Sequence, residues 1–456
     1  MAGSVVEGRW TSGFNPRGLG CILQVLSRAE LGAKLQRPPP RVGRASSRST
    51  LDPAPAHPVF MQSSGSNPPP ATASRARSLA AWRQRPESGP RIVLFSGGSA
   101  MREASRVLKR YTHNSIHLIT PFDSGGSSAA LRAAFCILGV GDLRNRMVAL
   151  ADESERGRPE VNACLAHRLS SQASASDLVA ELDQLMTGDH ALMRAVPESL
   201  RGEVCQELLH FAERMPLGFD LRDASVGNLW LVGALLSGER DLDRVLRRFS
   251  ELVRVCGEVR PTALDDVHLV ALHADSTRTV GQHLFGKQTA ADHGPIRDIE
   301  LTSALEGGQT THIDADPRSL ELILSAQLIC FPMGSFFGSV LANLLPRGVG
   351  SAVLASEQPR VFIPNAGEDP EMRGYSLAGC VEKIAELVGR DANRQVAPRE
   401  AIDWVLIDSR GVRYGSELDK ERLEALGLAV VDVDLAGTND ETLDPIKLVE
   451  ALLTLV

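Results

Sequence analysis

The sequence predicts an α/β protein, a Rossmann-like three-layer α/β/α domain built on a mainly parallel sheet and interrupted by a helical insertion. Three features of the 456 residues carry that expectation. A short apolar run followed by a glycine-rich turn and a helical period occurs twice at the start of the body, the pattern of parallel strands joined by crossover helices. Strand-like and helical segments alternate again from about residue 267, so helices are expected on both faces of the sheet. Between these regions, residues 153–260 are almost wholly helical in periodicity, which marks an insertion.

Residues 1–88 stand apart from this pattern. Through Pro90 the chain holds 12 of its 26 prolines, including Pro38-Pro39-Pro40 and Pro68-Pro69-Pro70, amid Ser, Arg and Gly. No periodic apolar face can form there, so 1–88 is expected to be a disordered extension and 89–456 the folded body. An Arg- and Ser-rich, acid-poor leader also has the make-up of an organelle transit peptide, but its prolines would break the amphipathic helix such a peptide needs.

Charge divides along the same line. The first 90 residues carry 12 basic and 4 acidic side chains, leaving 37 basic against 52 acidic in the remainder. An acidic body argues against a nucleic-acid groove or an anionic membrane face. The 24 uncharged residues 322–345 are no membrane span, since Gln327, Pro332, Gly334, Ser335 and Asn343 interrupt them. The seven cysteines are scattered and never paired as Cys-x-x-Cys, which reads as reduced thiols in a cytoplasmic protein. Nor do the histidines show metal-site spacing, so no structural zinc site is expected.

The first strand is expected at 91–95, ending in Ser96-Gly97-Gly98-Ser99 before a helix to about Arg110. The second, at 116–120, ends in Pro121-Phe122-Asp123-Ser124-Gly125-Gly126-Ser127-Ser128 before another helix. Gly141-Asp142-Leu143-Arg144-Asn145 opens a helix to about Ala151. Further strands are expected at 267–272, 328–331, 361–363, 404–407 and 429–433, with helices at 338–345, 376–387 and 445–455.

The turns are where chemistry is sought. At Gly97, Gly98 and Ser99 a strand hands over to a helix, so free amides and the positive helix end suit a phosphate. A tight turn with Ser99 as helix cap explains the same residues. Asp123 precedes two glycines and two hydroxyls at a strand's carboxyl end. It could bind Mg²⁺ or orient a hydroxyl, while Gly125, Gly126 and Ser127 offer amides to an anion. The alternative, an Asx turn plus cap, leaves the doubled glycine unexplained. Asp142 is a site acid or an N-cap, and Arg144 and Asn145 suit phosphate or ribose oxygens. Asn228, in an otherwise apolar helix behind Ser225-Val226-Gly227, meets a ligand or is satisfied within a close helix contact at Gly227. Gly334 and Ser335 form another anion cradle or a plain cap.

Taken in order, these motifs, with Gly281-Gln282, Asn343-Leu344-Leu345 and the stretch 365–375, resemble the CofD-like superfamily over residues 91 to the C-terminus. That superfamily joins 2-phospho-L-lactate transferases to YvcK-type gluconeogenesis factors. The resemblance implies a Rossmann-like fold and one of two functions. Either a phosphoryl-linked group passes from a nucleoside diphosphate ester to an acceptor hydroxyl, such as that of a deazaflavin, with Mg²⁺, or a nucleotide sugar is bound for regulation without turnover. It places Gly97, Gly98, Gly334 and Ser335 against the nucleotide and Asp123 near the reacting phosphate. The chain departs from the YvcK pattern at Ser124, where a second acid is usual, at Pro332-Met333 and at Asp223-Ala224. These departures bring it nearer the bacterial CofD-related branch that accompanies an ATP-grasp enzyme.

The reading is therefore a Mg²⁺-dependent transferase, with Asp123 and Asp142 catalytic and Asp123 on the metal. Gly97, Gly98, Ser99, Gly125, Gly126, Ser127, Arg144, Asn145, Asn228, Gly334 and Ser335 are expected to hold nucleotide and phosphate. A homodimer would be ordinary for such a fold. The alternative is a UDP-sugar-binding regulator. A nicotinamide dehydrogenase is disfavoured by the absent Gly-x-Gly-x-x-Gly.

Overall fold

A computed structural model describes residues 72–238, 240–285, 293–306 and 308–456, with side chains from Arg77. Eleven strands are described: β1 Ile92–Ser96, β2 Ile116–Ile119, β3 Glu258–Pro261, β4 His268–His273, β5 Arg278–Val280, β6 Ile296–Thr302, β7 Thr310–Thr311, β8 Leu328–Phe331, β9 Arg360–Phe362, β10 Trp404–Ile407 and β11 Ala429–Asp432. Seven form one parallel sheet in the order β11-β10-β9-β8-β1-β2-β3, and four form a small antiparallel sheet, β5-β4-β6-β7.

The helices before the insertion are α1 Thr72–Gln84, α2 Arg102–Leu108, α3 Gly126–Phe135 and α4 Gly141–Ala149. The insertion holds α5 Pro159–Ala166, α6 Ala175–Thr187, α7 Ala191–Ala195, α8 Glu198–Arg214, α9 Val226–Ser237 and α10 Leu242–Val253. After it come α11 Pro317–Leu324, α12 Val349–Ala355, α13 Leu377–Asp391, α14 Pro398–Ala401, α15 Lys420–Ala425 and α16 Pro445–Leu453.

Alternation along the central strands builds the three layers. Val93 and Phe95 of β1 join Ile329 and Phe331 of β8 in a core closed by α11, α12, α13 and the antiparallel sheet. Ile92 and Leu94 point the other way, to α2 and α16. Both faces of the sheet are thus covered, as near-continuous apolar parallel strands require. Phe95 and Phe331 stack at 5.1 Å across β1 and β8, tying the middle of the sheet together.

The insertion has its own core, in which α9 is buried nearly all round. A helix apolar on every side belongs in an interior. Its glycines set the packing distance, since a Cβ on Gly233 would lie 1.8 Å from the Glu207 carbonyl oxygen of α8.

Three expectations are corrected. Residues 1–71 lie outside the described residues, but 72–84 are helical and Leu79 and Trp82 pack on the core beneath α2 and α16, so order begins before residue 89. The segment expected at 267–272 is not in the parallel sheet. It is β4, paired antiparallel with β5 through a turn in which Asp275 accepts the Thr277 amide and Ser276 takes φ 68°. The helix expected at 338–345 is a π-type turn, Phe336–Val340, running into a 3-10 turn, Leu341–Leu344. There the Asn343 amide donates to the Ser339 and Ser96 carbonyls, at 2.8 and 3.1 Å, competing with regular helical bonding.

Replacing Gly233 with alanine should force α8 and α9 apart and lower stability by about 1–3 kcal/mol. An unchanged denaturation midpoint would contradict that packing.

Candidate functional site

The chain runs from β1 to β2 to β3 on one side of the sheet and from β8 through β11 on the other. The direction reverses between β1 and β8, and ligands of open α/β sheets bind in the crevice at the carboxyl ends of the strands where this happens. The bends after β1, β2 and β8 all open onto that rim.

Gly97 lets them meet. A Cβ there would lie 2.8 Å from Ser339 Oγ and 3.2 Å from Thr120 Oγ1, so a side chain at this position would have to displace the Ser339 hydroxyl between the turn after β8 and the end of β2. Gly98 and Gly126, at φ 44° and 49°, have nothing within 4 Å of the Cβ position and face open space. Gly334 stands opposite the first bend, with its Cβ position 3.9 Å from the Ala100 Cβ.

Two carboxylates converge beside these bends. Asp142 does not cap α4, which begins at Gly141; instead its Oδ2 accepts the Gly98 amide at 2.6 Å. Asp123 Oδ1 accepts the Gly125 amide at 3.0 Å, an Asx turn, while its Oδ2 lies 2.9 Å from where a Cβ on Gly141 would stand. Burial first, then the charge of Asp123, push the Asp142 carboxyl up to about 6. Two hard oxygen donors so placed fit Mg²⁺, which takes one or two carboxylates and completes its shell with phosphate and water.

Two buried guanidiniums flank the acids. Arg144 and Arg146 of α4 are 4% and 2% exposed. Arg144 Nε donates to Asn228 Oδ1 at 3.1 Å and its stem packs on Gly227, so Asn228 is satisfied by an arginine at a close helix contact. Arg146 donates to the Ser105 and Ser96 hydroxyls. These hydrogen-bond partners are neutral, and Arg144 Nη2 and Arg146 Nε are buried with none. Burial, then the nearby Arg168 and Arg102, lower the Arg144 guanidinium to about 10.

Across the crevice the amides after β8 are held by side chains. Asn365 accepts the Gly334 amide and donates to its carbonyl, both at 2.7 Å. Asp369 accepts the Phe336 amide at 3.1 Å and Glu371 the Gly338 amide at 2.7 Å. Burial and the neighbouring Asp369 charge push Glu371 up to about 8.

The expected residues thus share one rim, but not all as expected. The amides of Gly98, Gly125 and Gly334 are held by Asp142, Asp123 and Asn365. Ser99 is exposed and caps nothing, for α2 starts at Arg102. Ser335 is exposed and makes no cap bond, while Ser127 lies in the first turn of α3 and Asn145 is half-buried on α4. Sequence reasoning passed over Arg146, Asp369 and Glu371, and over His283, whose Nδ1 lies 2.9 Å from Ser124 Oγ. Two acids two residues apart inside the 365–375 stretch were the available signal.

A groove of about 1730 Å³ lies elsewhere, among Lys109, His113, Asp152, Arg158 and Cys256 at the amino ends of β2 and β3. Its mixed charges and its place at the opposite end of the strands separate it from the rim.

Fold and rim together define a doubly wound α/β protein with an acid- and arginine-lined crevice at its switch point. The chain belongs to the CofD family, described as 2-phospho-L-lactate transferase CofD, whose model matches residues 92–447. The gluconeogenesis factor of Bacillus subtilis is 26% identical, the match covering 75% of this chain and 90% of that one. A relative from Nostoc sp. is 28% identical over 75% of this chain, which spans only 63% of that protein's length. The crystal structure of a UPF0052 family protein from Bacillus halodurans shares the fold, with a TM-score of 0.60 at 22% identity, covering 80% of this chain and 99% of that one.

Because Glu371 is neutral more readily in the fold than in the open chain, that stabilisation is full below about pH 4.5 and is lost as the pH rises through about 8. Between roughly pH 5 and 9, Glu371→Gln should therefore gain stability relative to the parent, on the order of a few kcal/mol. Parallel denaturation curves across that range would contradict it.

Proposed function

We propose that the chain binds a nucleoside diphosphate ester at the β8-β1-β2 rim and transfers its phosphoryl-linked group to an acceptor hydroxyl. The observation that carries this is Arg144, a buried guanidinium with an unpartnered nitrogen, on the same helix as Asp142, which holds the Gly98 bend. A buried cation of this kind is costly unless an anion completes it. The first three amides of α3, which have no intrahelical acceptor, and the open faces of Gly98 and Gly126 suit a pyrophosphate. Asp123 and Asp142 would hold Mg²⁺, which offsets charge on the phosphates. In such a transfer the acceptor oxygen attacks phosphorus and a nucleoside monophosphate leaves. Placement and charge neutralisation do most of the work. The six cysteines among the described residues are all free thiols, which suits a reducing, cytoplasmic setting.

The second reading, a nucleotide-sugar sensor without turnover, is favoured by the relatives described as gluconeogenesis factors and by Ser124 in place of a second acid. Both readings share the pyrophosphate cradle and differ in their need for metal and acceptor.

Thermal-shift titration with GDP, UDP-sugars and Mg²⁺ separates them. A true ligand at ~100-fold excess over its Kd adds roughly 2.7 kcal/mol, and no shift with any nucleoside diphosphate would refute both. Arg144→Met should weaken nucleotide binding by about 10- to 100-fold, the loss of a charge-assisted bond worth roughly 1.5–3 kcal/mol. Asp123→Asn should abolish Mg²⁺-dependent transfer in a reconstituted reaction, and full turnover in that variant would remove its metal role.

A further inference from the structure

The helical insertion brings together three side chains that are far apart in sequence. His167 follows α5, Glu181 lies along α6, and His190 stands at the start of α7. Glu181 Oε1 is 2.8 Å from His167 Nε2 and 3.9 Å from His190 Nε2, and the imidazole rings are 5.6 Å apart. One potential ligand atom from each lies within 4.8 Å of the other two. The side chains are 30%, 25% and 18% exposed, so each is anchored in the fold and still reachable from solvent.

We propose that His167, Glu181 and His190 form a site for a divalent transition ion of the zinc class. With metal–ligand bonds of about 2.0–2.1 Å, the edges of a tetrahedron are roughly 3.3 Å, between the two separations seen here. The two imidazoles, whose ligand atoms lie within 4.8 Å of each other, would close in by up to roughly 1.5 Å to seat the ion, leaving its fourth position to water. Two imidazoles and one carboxylate select zinc, cobalt or nickel over the oxygen-seeking Mg²⁺ of the rim. Two hydrogen bonds must be exchanged in the process. The His167–Glu181 bond gives way to two metal bonds. His190 Nδ1 now accepts the Leu192 amide at 3.2 Å, which leaves the neutral ring's proton on Nε2. Ligation through Nε2 moves that proton to Nδ1 and releases the amide, so the first turn of the five-residue α7 gives up its cap.

The site has a route to the crevice wall. The His167 carbonyl accepts the Val226 amide at 2.9 Å, and two residues further on Asn228 holds Arg144. Metal at His167 would fix the segment on which that contact leans. The site itself stands independently of what the rim binds.

The test is titration of the chelator-stripped full chain with Zn²⁺ and Co²⁺. One tight equivalent is expected, with the visible d–d absorption of four-coordinate cobalt and loss of hydrogen-exchange protection at the Leu192 amide. Glu181→Gln and His167→Gln should each weaken that binding by about 100-fold while keeping the parent's circular dichroism. Parent affinity no tighter than that of these variants would overturn the proposal. So would thiolate-to-cobalt charge-transfer bands, which would assign the binding to cysteine.

Discussion

Everything at the rim depends on how closely three strand ends approach at Gly97. With Ser339 Oγ and Thr120 Oγ1 crowding its absent Cβ, this residue allows the bends after β1 and β2 and the π-type turn after β8 to share one crevice. A larger residue would have to displace the Ser339 side chain, which belongs to the turn after β8. Gly97 therefore acts as a packing residue. The adjacent Gly98, at positive φ, has nothing within 4 Å of its Cβ position and gives its amide to Asp142.

Charge balance follows from this geometry. α4 drives Asp142, Arg144 and Arg146 into the same buried region, and Asp123 arrives from the β2 bend. Four ionisable groups in a poorly solvated space can coexist only by offsetting one another. Asp142 does so by taking the Gly98 amide as a substitute for water, yet burial still favours its neutral form. Arg144, crowded by other guanidiniums and left with a bare nitrogen, is the group whose balance is least complete. A polyanion carrying a divalent cation would satisfy the arginine and the carboxylates together. Either component alone would help one and leave the other exposed to repulsion.

The strongly apolar strands were legible because alternation and glycine turns mark them: 328–331 and 404–407 fall where periodicity places them. Less visible was β3, whose Glu258-Val-Arg-Pro run has no apolar signature. It is an edge strand, and its Arg260 is neutralised by Asp316 at 2.6 Å, a partner 56 residues away. The β4–β5 pairing was hidden because β5 is only three residues long, with a charged one first. At the rim, residue types were legible but hydrogen-bond roles were not. Asp142 reads as a helix cap in sequence because a cap is the local use of an aspartate, whereas its actual donor comes from a bend 44 residues earlier. Likewise nothing in the spacing of His167, Glu181 and His190 shows that two interhelical turns fold them onto one point.

The departure at Ser124 deserves a structural answer, since losing an acid beside Asp123 would weaken a metal site built on adjacent residues. Here the second carboxylate comes from a different element. Gly141 brings α4 so close to the β2 bend that a Cβ there would lie 2.2 Å from Ser128 Oγ and 2.9 Å from Asp123 Oδ2, which sets Asp142 beside Asp123. Ser124 turns to His283 and ties the bend to the segment after β5. The two carboxylates are thus brought together from two elements on one side of the crevice, not from adjacent residues. An acid count taken from the bend alone therefore says little about whether the site can work with metal.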